Sequence, residues 1–488
     1  MKRILALFVL ASLLLSACRT QLGGEHHVAI DEDYTVNIQT YDLSNYIEEI
    51  EMKEIEMEEI EMIEIEGIIR KIMPAGSLTI EHFLEDINYM VYVLENNFPL
   101  LCVAYWAHGV DYNELADNAR KFVLAMDEPC EDTFLAIMIY HFIPLVGTGH
   151  FNIFDHHTFD RMTRNAHYGG YLGQKWRMNL QLIRSPFASR FYEPENQDRI
   201  NKYEMALYGL VETYGMPSHR FWGEDIVRQP VTTKSIKENR IAYVSTGHSM
   251  EELRQGRFQI SNFFTQITDY EHLIIDLRGN AGGNIDNFLD IILRPNLREI
   301  IETPNAFFFF FDGPYVRRFG DILFEPTIYN GFMTITEPYR PANEILANNI
   351  LPDIRYIDIE RFHYGAPAGR FEPIEPTSEG TRNAPAFGGK IWLLTDRSLG
   401  SAAQLAAFYA KETGYITLVG DITGGFFGGP RTLAFLPNTG IIFYFDIFYI
   451  TDSRGRPLEA GTIPHYFNRP GLDALETVLE LILETYNH

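Results

Sequence analysis

The sequence predicts an α/β core with helices packed on a sheet, preceded by a helical region. Two observations carry this. From Arg240 onward, apolar segments of strand length alternate with helical ones, the pattern of a layered α/β fold. Between residues 77 and 165, apolar residues recur at helical spacing instead. A third feature places a candidate site on the core. A glycine-rich turn follows one predicted strand, and a serine opens the helix after another.

The helical region starts at Thr79, a residue able to cap a helix. Phe83, Ile87, Met90 and Leu94 then recur at four, three and four residues, and Pro99 ends the segment. A second helix is predicted from Asp132 or Thr133 to Phe142, stopping before Pro144. The Gly-punctuated turn Leu145-Val146-Gly147-Thr148-Gly149-His150-Phe151 closes the region. Residues 166–238 are mixed and aromatic and read as a connection. The core, 239–488, contains strands at Ile241–Val244, Leu273–Ile275, Ile391–Leu394, Ile416–Val419 and one long strand at Ile441–Ile450. Phe288–Leu293 and Ala402–Lys411 read as helical.

Ahead of the fold lie two other segments. Lys2 and Arg3 precede a mostly apolar stretch, Ile4 to Leu15, and then Leu15-Ser16-Ala17-Cys18. This has the layout of a signal peptide and is short for a membrane span. A small-residue site ending in Cys resembles a bacterial lipobox. Residues 1–18 then form a lipoprotein signal peptide, with Cys18 lipidated and the mature protein anchored in the cell envelope outside the cytoplasm. Residues 19–76 read as a tether and acidic spacer. Glu-Ile-Glu-Met repeats start at Glu49, Glu54 and Glu59. Their five-residue period, about 144° per residue, fits neither helix nor strand. Export permits one disulfide between Cys102 and Cys130, with two buried thiols as the alternative.

Formal charge is −26, which argues against nucleic acid as a partner. The stretch from Glu48 to Glu66 contributes −9, leaving −17 on the rest of the chain.

Two elements carry chemistry. Leu273-Ile274-Ile275-Asp276-Leu277-Arg278-Gly279-Asn280-Ala281-Gly282-Gly283 is a strand running into a glycine loop. Such a loop brings backbone N–H groups close to a substrate oxygen. It lacks the G-x-G-x-x-G and G-K-[ST] patterns, so no dinucleotide or P-loop site is read here. Ser401 opens a helix after the strand ending near Leu394. A serine there is ordinarily an N-cap. The same geometry sets free N–H groups and the positive dipole end beside a hydroxyl, as a nucleophile requires. Asp155-His156-His157 lacks a matching ligand set for a metal and reads as a solvated loop.

Five motifs in order resemble the tail-specific (C-terminal processing) protease and tricorn-core family. They are Gly147-Thr148-Gly149-His150, Asp276 to Gly283, Ser401-Ala402-Ala403, Leu418 to Gly424, and Pro457-Leu458-Glu459-Ala460-Gly461-Thr462-Ile463-Pro464. The resemblance spans about residues 80–165 and 239–475. It implies a crotonase-like α/β core that cleaves peptides as a serine peptidase, with no metal or organic cofactor and a peptide or protein as substrate. Ser401 matches the nucleophile. The Ser–Lys branch would place lysine where Phe426 stands, and no lysine follows Lys411. The tricorn-like branch uses a histidine base and a later glutamate, which fall on His150 and Glu459. The implied oxyanion donors are the N–H groups of Ala402 and of the Ala281–Gly282 turn. Gln404, Ala281, Gly149 and His465 depart from the family's usual residues. A non-catalytic lipoprotein of the same fold, binding peptides or an apolar ligand, is the alternative reading.

Overall fold

The computed structural model describes residues 78–165, 183, 191–192, 197–215, 230–302, 306–318, 340–348, 351–354, 361–368, 373–378, 385–425 and 431–486. All of them belong to one unit, 56–488. Cys18, the acidic repeat and Phe426 lie outside the described residues.

Four helices open the described chain: α1 Ile80–Asn97, α2 Leu101–His108, α3 Tyr112–Leu124 and α4 Glu131–Phe142. Thr79 caps α1 as its spacing predicts, and its N–H donates to His82 Nδ1 at 3.0 Å. Phe83, Ile87, Met90 and Leu94 are all buried. Sequence reading passes over α2 and α3. The first is eight residues long and stops at Gly109 in the left-handed conformation. The second is capped by Asp111, which accepts from the N–H groups of Asn113 and Glu114. Cys102 on α2 and Cys130 at the start of α4 are not joined in a disulfide, and each is half-buried. Neither the disulfide nor the buried-thiol expectation holds. A further helix, α5 Gln197–Tyr214, is tied to α4 by Arg199, which pairs with Asp132 at 2.8 Å and Glu131 at 2.9 Å.

The core is built on a six-stranded sheet of order β13-β9-β8-β4-β3-β2. Its strands are β2 Val231–Lys237, β3 Ile241–Thr246, β4 His272–Asp276, β8 Lys390–Thr395, β9 Thr417–Gly420 and β13 Tyr466–Phe467. Only β2 runs antiparallel to its neighbour. β3 and β4 are buried along their whole length, which is why their sequences read as continuous apolar runs. The sheet begins at Val231, inside the segment read as a connection. Helices α6 Met250–Gln255 and α7 Arg257–Phe264 link β3 to β4, and α8 Ala402–Thr413 links β8 to β9. On one face of the sheet, Ala474, Val478 and Ile482 of α9 (Ala474–Thr485) pack on Ile241, Tyr243, Ile274, Trp392 and Val419. Ala403, Ala406 and Ala407 of α8 join the larger cluster with Leu273, Ile275 and Leu393.

Two smaller sheets complete the core. One has the order β1-β11-β10, from β1 Asn152–Ile153, β10 Arg431–Phe435 and β11 Ile442–Asp446. The other has the order β12-β5-β7-β6, from β5 Ala306–Phe310, β6 Arg340–Pro341, β7 Tyr364–Ala368 and β12 Tyr449–Thr451. The single strand expected over Ile441–Ile450 is thus two strands in two sheets. The chain changes sheet at Ile447–Phe448, directly after the buried Asp446. Because β1 pairs with β11, the N-terminal helical region is stitched into the core.

Candidate active site

In a parallel sheet, loops at the carboxyl ends of the strands converge on one edge. Here the loops after β4, β8 and β9 are bonded together. Gly279 N–H donates to the Asp396 carboxylate at 3.0 and 3.2 Å, and Gly400 N–H to Asn280 O at 3.3 Å. Gly424 N–H donates to Leu399 O at 2.7 Å, and Ser401 N–H to Gly425 O at 3.1 Å. Burial raises the pKa of Asp396 above the usual carboxylate value, against the lowering effect of the N–H groups of Gly279 and Ser398.

Ser401 stands at the start of α8 with φ 52° and ψ −120°. Its hydroxyl makes no capping hydrogen bond to the helix, so the ordinary role of a serine at this position is unfilled. Ala402 is the first helical residue, and its N–H therefore has no partner within the helix. Gly282 lies over it. A Cβ at Gly282 would come within 2.7 Å of Ser401 Cβ and 2.9 Å of Ala402 N. The missing side chain keeps the approach to that N–H open.

The expected donors of the glycine turn are otherwise engaged. Ala281 N–H donates to His248 O at 2.9 Å, and Gly282 N–H to Asn280 Oδ1 at 3.0 Å. Gly282 is buried and its N–H is satisfied within the loop, whereas Ala281 is exposed and bonds to the loop after β3. Of the three N–H groups expected to serve as oxyanion donors, those of Ala281 and Gly282 are thus taken by other acceptors, and Gly282 leaves space beside Ala402.

His150 lies in the 3₁₀ turn Thr148–His150, with φ 55°. Gly149 before it has φ 46° and leaves no room for a side chain: a Cβ would meet Leu100 Cδ1 at 2.4 Å. β1 pairs Asn152 with Tyr444, so extending the register by two residues sets His150 opposite Asp446. The side chains meet there, with His150 Nδ1 2.7 Å from Asp446 Oδ2. Asp446 is fully buried and His150 partly open to solvent. A buried carboxylate on Nδ1 fixes the tautomer that leaves Nε2 as the basic nitrogen.

Glu459, expected at His150, is placed one residue away. It is buried in the 3₁₀ turn Leu458–Ala460, and its Oε1 accepts from Gly149 N–H at 3.2 Å. Asp446 takes the Nδ1 position instead, because it ends the strand that runs beside the histidine turn. Sequence reading missed Asp446. The available signal was a single carboxylate within the apolar run Ile441 to Ile450.

The two halves of the site are continuous. Ser401 N–H bonds to Gly425 O, and Gly425, at φ 83°, packs so closely on Glu459 that a Cβ would lie 2.1 Å from its carbonyl oxygen. The Glu459 carboxylate then holds Gly149, and His150 follows. Among the described residues only three non-glycine residues have positive φ: His150, Asn239 and Ser401. Asn239 sits in the turn between β2 and β3, where asparagine is readily accommodated. The other two are the sequence-predicted nucleophile and base, and strain of this kind gathers at functional sites.

Residues 240–306 and 333–467 match peptidase family S41. The match takes in the Asp276–Gly283 loop, Ser401, Asp446 and Glu459, while His150 lies ahead of it. The chain thus has an α/β core, similar over these residues to that peptidase family, with a helical N-terminal region. Aligned solved structures include a protein from Parabacteroides merdae described as a peptidase, at 16% identity over 83% of this chain and 98% of that one, with a TM-score of 0.43. Mature CPAF complexed with lactacystin aligns at 12% identity over 80% and 94%, with a TM-score of 0.42. A lipoprotein from Streptococcus agalactiae aligns at 12% identity over 85% and 99%, with a TM-score of 0.36. No curated protein matches the chain.

Asp155, His156 and His157 are not a solvated loop. They open a helix, His156–Asn165, and Asp155 caps it by accepting from Thr158 N–H at 2.6 Å. His156 is stacked on Phe191 and buried. Among the described residues, no group of three or more His, Cys, Asp or Glu side chains is placed to hold a metal.

Proposed function

We propose that the protein is a serine peptidase that cleaves peptides or unfolded protein segments outside the cytoplasm, held at the membrane by lipid on Cys18. Its tricorn-like character lies in a histidine base in place of lysine. The observation that carries the catalytic reading is the buried Asp446 carboxylate on His150 Nδ1.

In this reading His150 Nε2 takes the proton from the Ser401 hydroxyl as Oγ attacks the peptide carbonyl carbon. Asp446 stabilises the imidazolium that forms and holds its ring in register. The carbonyl oxygen, now negative, accepts from Ala402 N–H at the positive end of α8. The tetrahedral centre collapses, the C–N bond breaks, and the leaving amine takes the proton from His150. Water then attacks the acyl carbon while giving a proton to Nε2, and the second tetrahedral centre breaks its bond to Ser401 Oγ, which takes that proton back as the acid leaves. Glu459 orients the base indirectly, by fixing the backbone N–H of Gly149.

Reaction with a fluorophosphonate tests this, because only an activated serine is phosphonylated. The expected result is one adduct, on Ser401, that disappears in Ser401→Ala. Labelling that survives Ser401→Ala removes Ser401 as nucleophile. A wild-type chain that never labels favours the non-catalytic binding protein. Anchoring is tested separately: Cys18→Ser is expected to leave the precursor unprocessed or release the protein from membranes. Normal processing with an unchanged membrane fraction would contradict it.

A further inference from the structure

Gln404 lies three residues beyond Ser401 on α8, so its position is tied to that of the nucleophile. It is fully buried. Its Nε2 donates to Leu458 O at 3.2 Å and to Thr462 Oγ1 at 3.0 Å. Its Oε1 accepts from Thr423 Oγ1. Thr423 Oγ1 in turn accepts from Thr462 N–H at 2.7 Å, and Thr423 N–H donates to Thr462 O at 3.2 Å. The result is a closed network joining three segments: α8, the loop after β9, and the 458–462 turn. An amide suits the set, since it offers two donors and an acceptor on one planar group. A glutamate at neutral pH offers no donor for Leu458 O.

The network has a direct path to the base. Leu458 immediately precedes Glu459, whose carboxylate holds Gly149 N–H beside His150. Thr423 lies two residues before Gly425, whose carbonyl accepts from Ser401 N–H.

We propose that Gln404 is a positioning residue that sets the separation between the Ser401 half and the His150 half of the site. This rests on the peptidase reading above. Gln404 touches no reacting atom. It acts through the 458–462 turn and the Gly425 loop. An error of about 1 Å in such a separation costs on the order of a hundredfold in rate.

The test compares the rate at which a fluorophosphonate labels Ser401 in the full chain, in wild type, Gln404→Glu and Gln404→Met, from about pH 5 to about pH 9. Thermal unfolding of each variant is followed in parallel. Gln404→Met is expected to slow labelling at least about tenfold by the same factor at every pH. In Gln404→Glu the buried carboxylate has its pKa raised by desolvation. Its rate relative to wild type is therefore expected to be low at alkaline pH and to recover as the group protonates and regains a donor. Taking the ratio to wild type removes the pH dependence common to all the chains. Thr423→Val provides a second route if the Gln404 variants do not fold. It is expected to slow labelling, with most of the rate recovered in Thr423→Ser. Wild-type rates at every pH in the folded Gln404 variants, or in Thr423→Val, would overturn the inference while leaving the peptidase reading intact. Absence of labelling in the wild type would instead overturn that reading.

Discussion

At the scale of single residues, the account turns on which carboxylate serves His150. The five motifs point to Glu459, and the geometry gives Nδ1 to Asp446. Asp446→Asn keeps the size of the side chain but removes the charge that fixes the tautomer. It is expected to lower turnover by about 10²–10⁴-fold while leaving Ser401 in place. Steady-state peptide hydrolysis measures this, and a change of less than about threefold would argue against the pair. Gly282 makes a second test. Gly282→Ala would put a Cβ 2.9 Å from Ala402 N, in a residue whose φ of 103° already disfavours a side chain. Losing that oxyanion donor is expected to cost about a hundredfold or more in kcat. Unchanged kcat would show that the transition state does not use this N–H. Short motifs mark Ser401 and His150 in the sequence. Asp446 has no such mark, because a carboxylate in an apolar run carries no spacing signal, and only the pairing of β1 with β11 reveals its neighbour.

At the scale of elements, most of the sheet could be read directly. The apolar runs of β3, β4, β8 and β9 fall where the sequence sets them, since a strand buried on both faces has to be apolar throughout. The same reasoning failed at Ile441–Ile450. A continuous apolar run does not show where a chain leaves one sheet for another, and the break follows Asp446. The turn between β10 and β11 is held from the N-terminal helix. Asp86 on α1 is fully buried and accepts from Asn438 N–H at 2.8 Å, Thr439 N–H at 3.0 Å and Thr439 Oγ1 at 2.6 Å. Asp86→Ala would leave these buried donors unpaired. A loss of about 3 kcal/mol in stability is expected, with lower activity because β11 carries Asp446. Chemical denaturation measures the first effect, and a loss below about 1 kcal/mol would mean that the turn finds other partners.

At the scale of the whole molecule, the N-terminal helices pack into the structure that carries the candidate site. α1 grips the β10–β11 turn at Asp86, and Phe98 and Leu100 just past its end pack beneath Gly149. The sequence shows two regions because their periodicities differ, whereas the contacts that unite them are long-range and leave no local pattern. The helical region also brings its own pH dependence. Burial among aromatic neighbours pushes His141 down to about 4. The folded state therefore favours the neutral ring. That stability is present above about pH 6.5 and is lost as pH falls toward 4, an effect on the order of 3 kcal/mol. His141→Phe is expected to flatten the fall in thermal stability over that window, and an unaltered profile would assign the acid sensitivity to other groups. The most direct test of the central claim is a crystal structure of the chain after reaction with a phosphonate. The account predicts phosphorus bonded to Ser401 Oγ, a phosphonyl oxygen about 2.8–3.0 Å from Ala402 N, and His150 Nδ1 still on Asp446. An adduct on another residue, or His150 Nδ1 turned from Asp446 to Glu459, would contradict it.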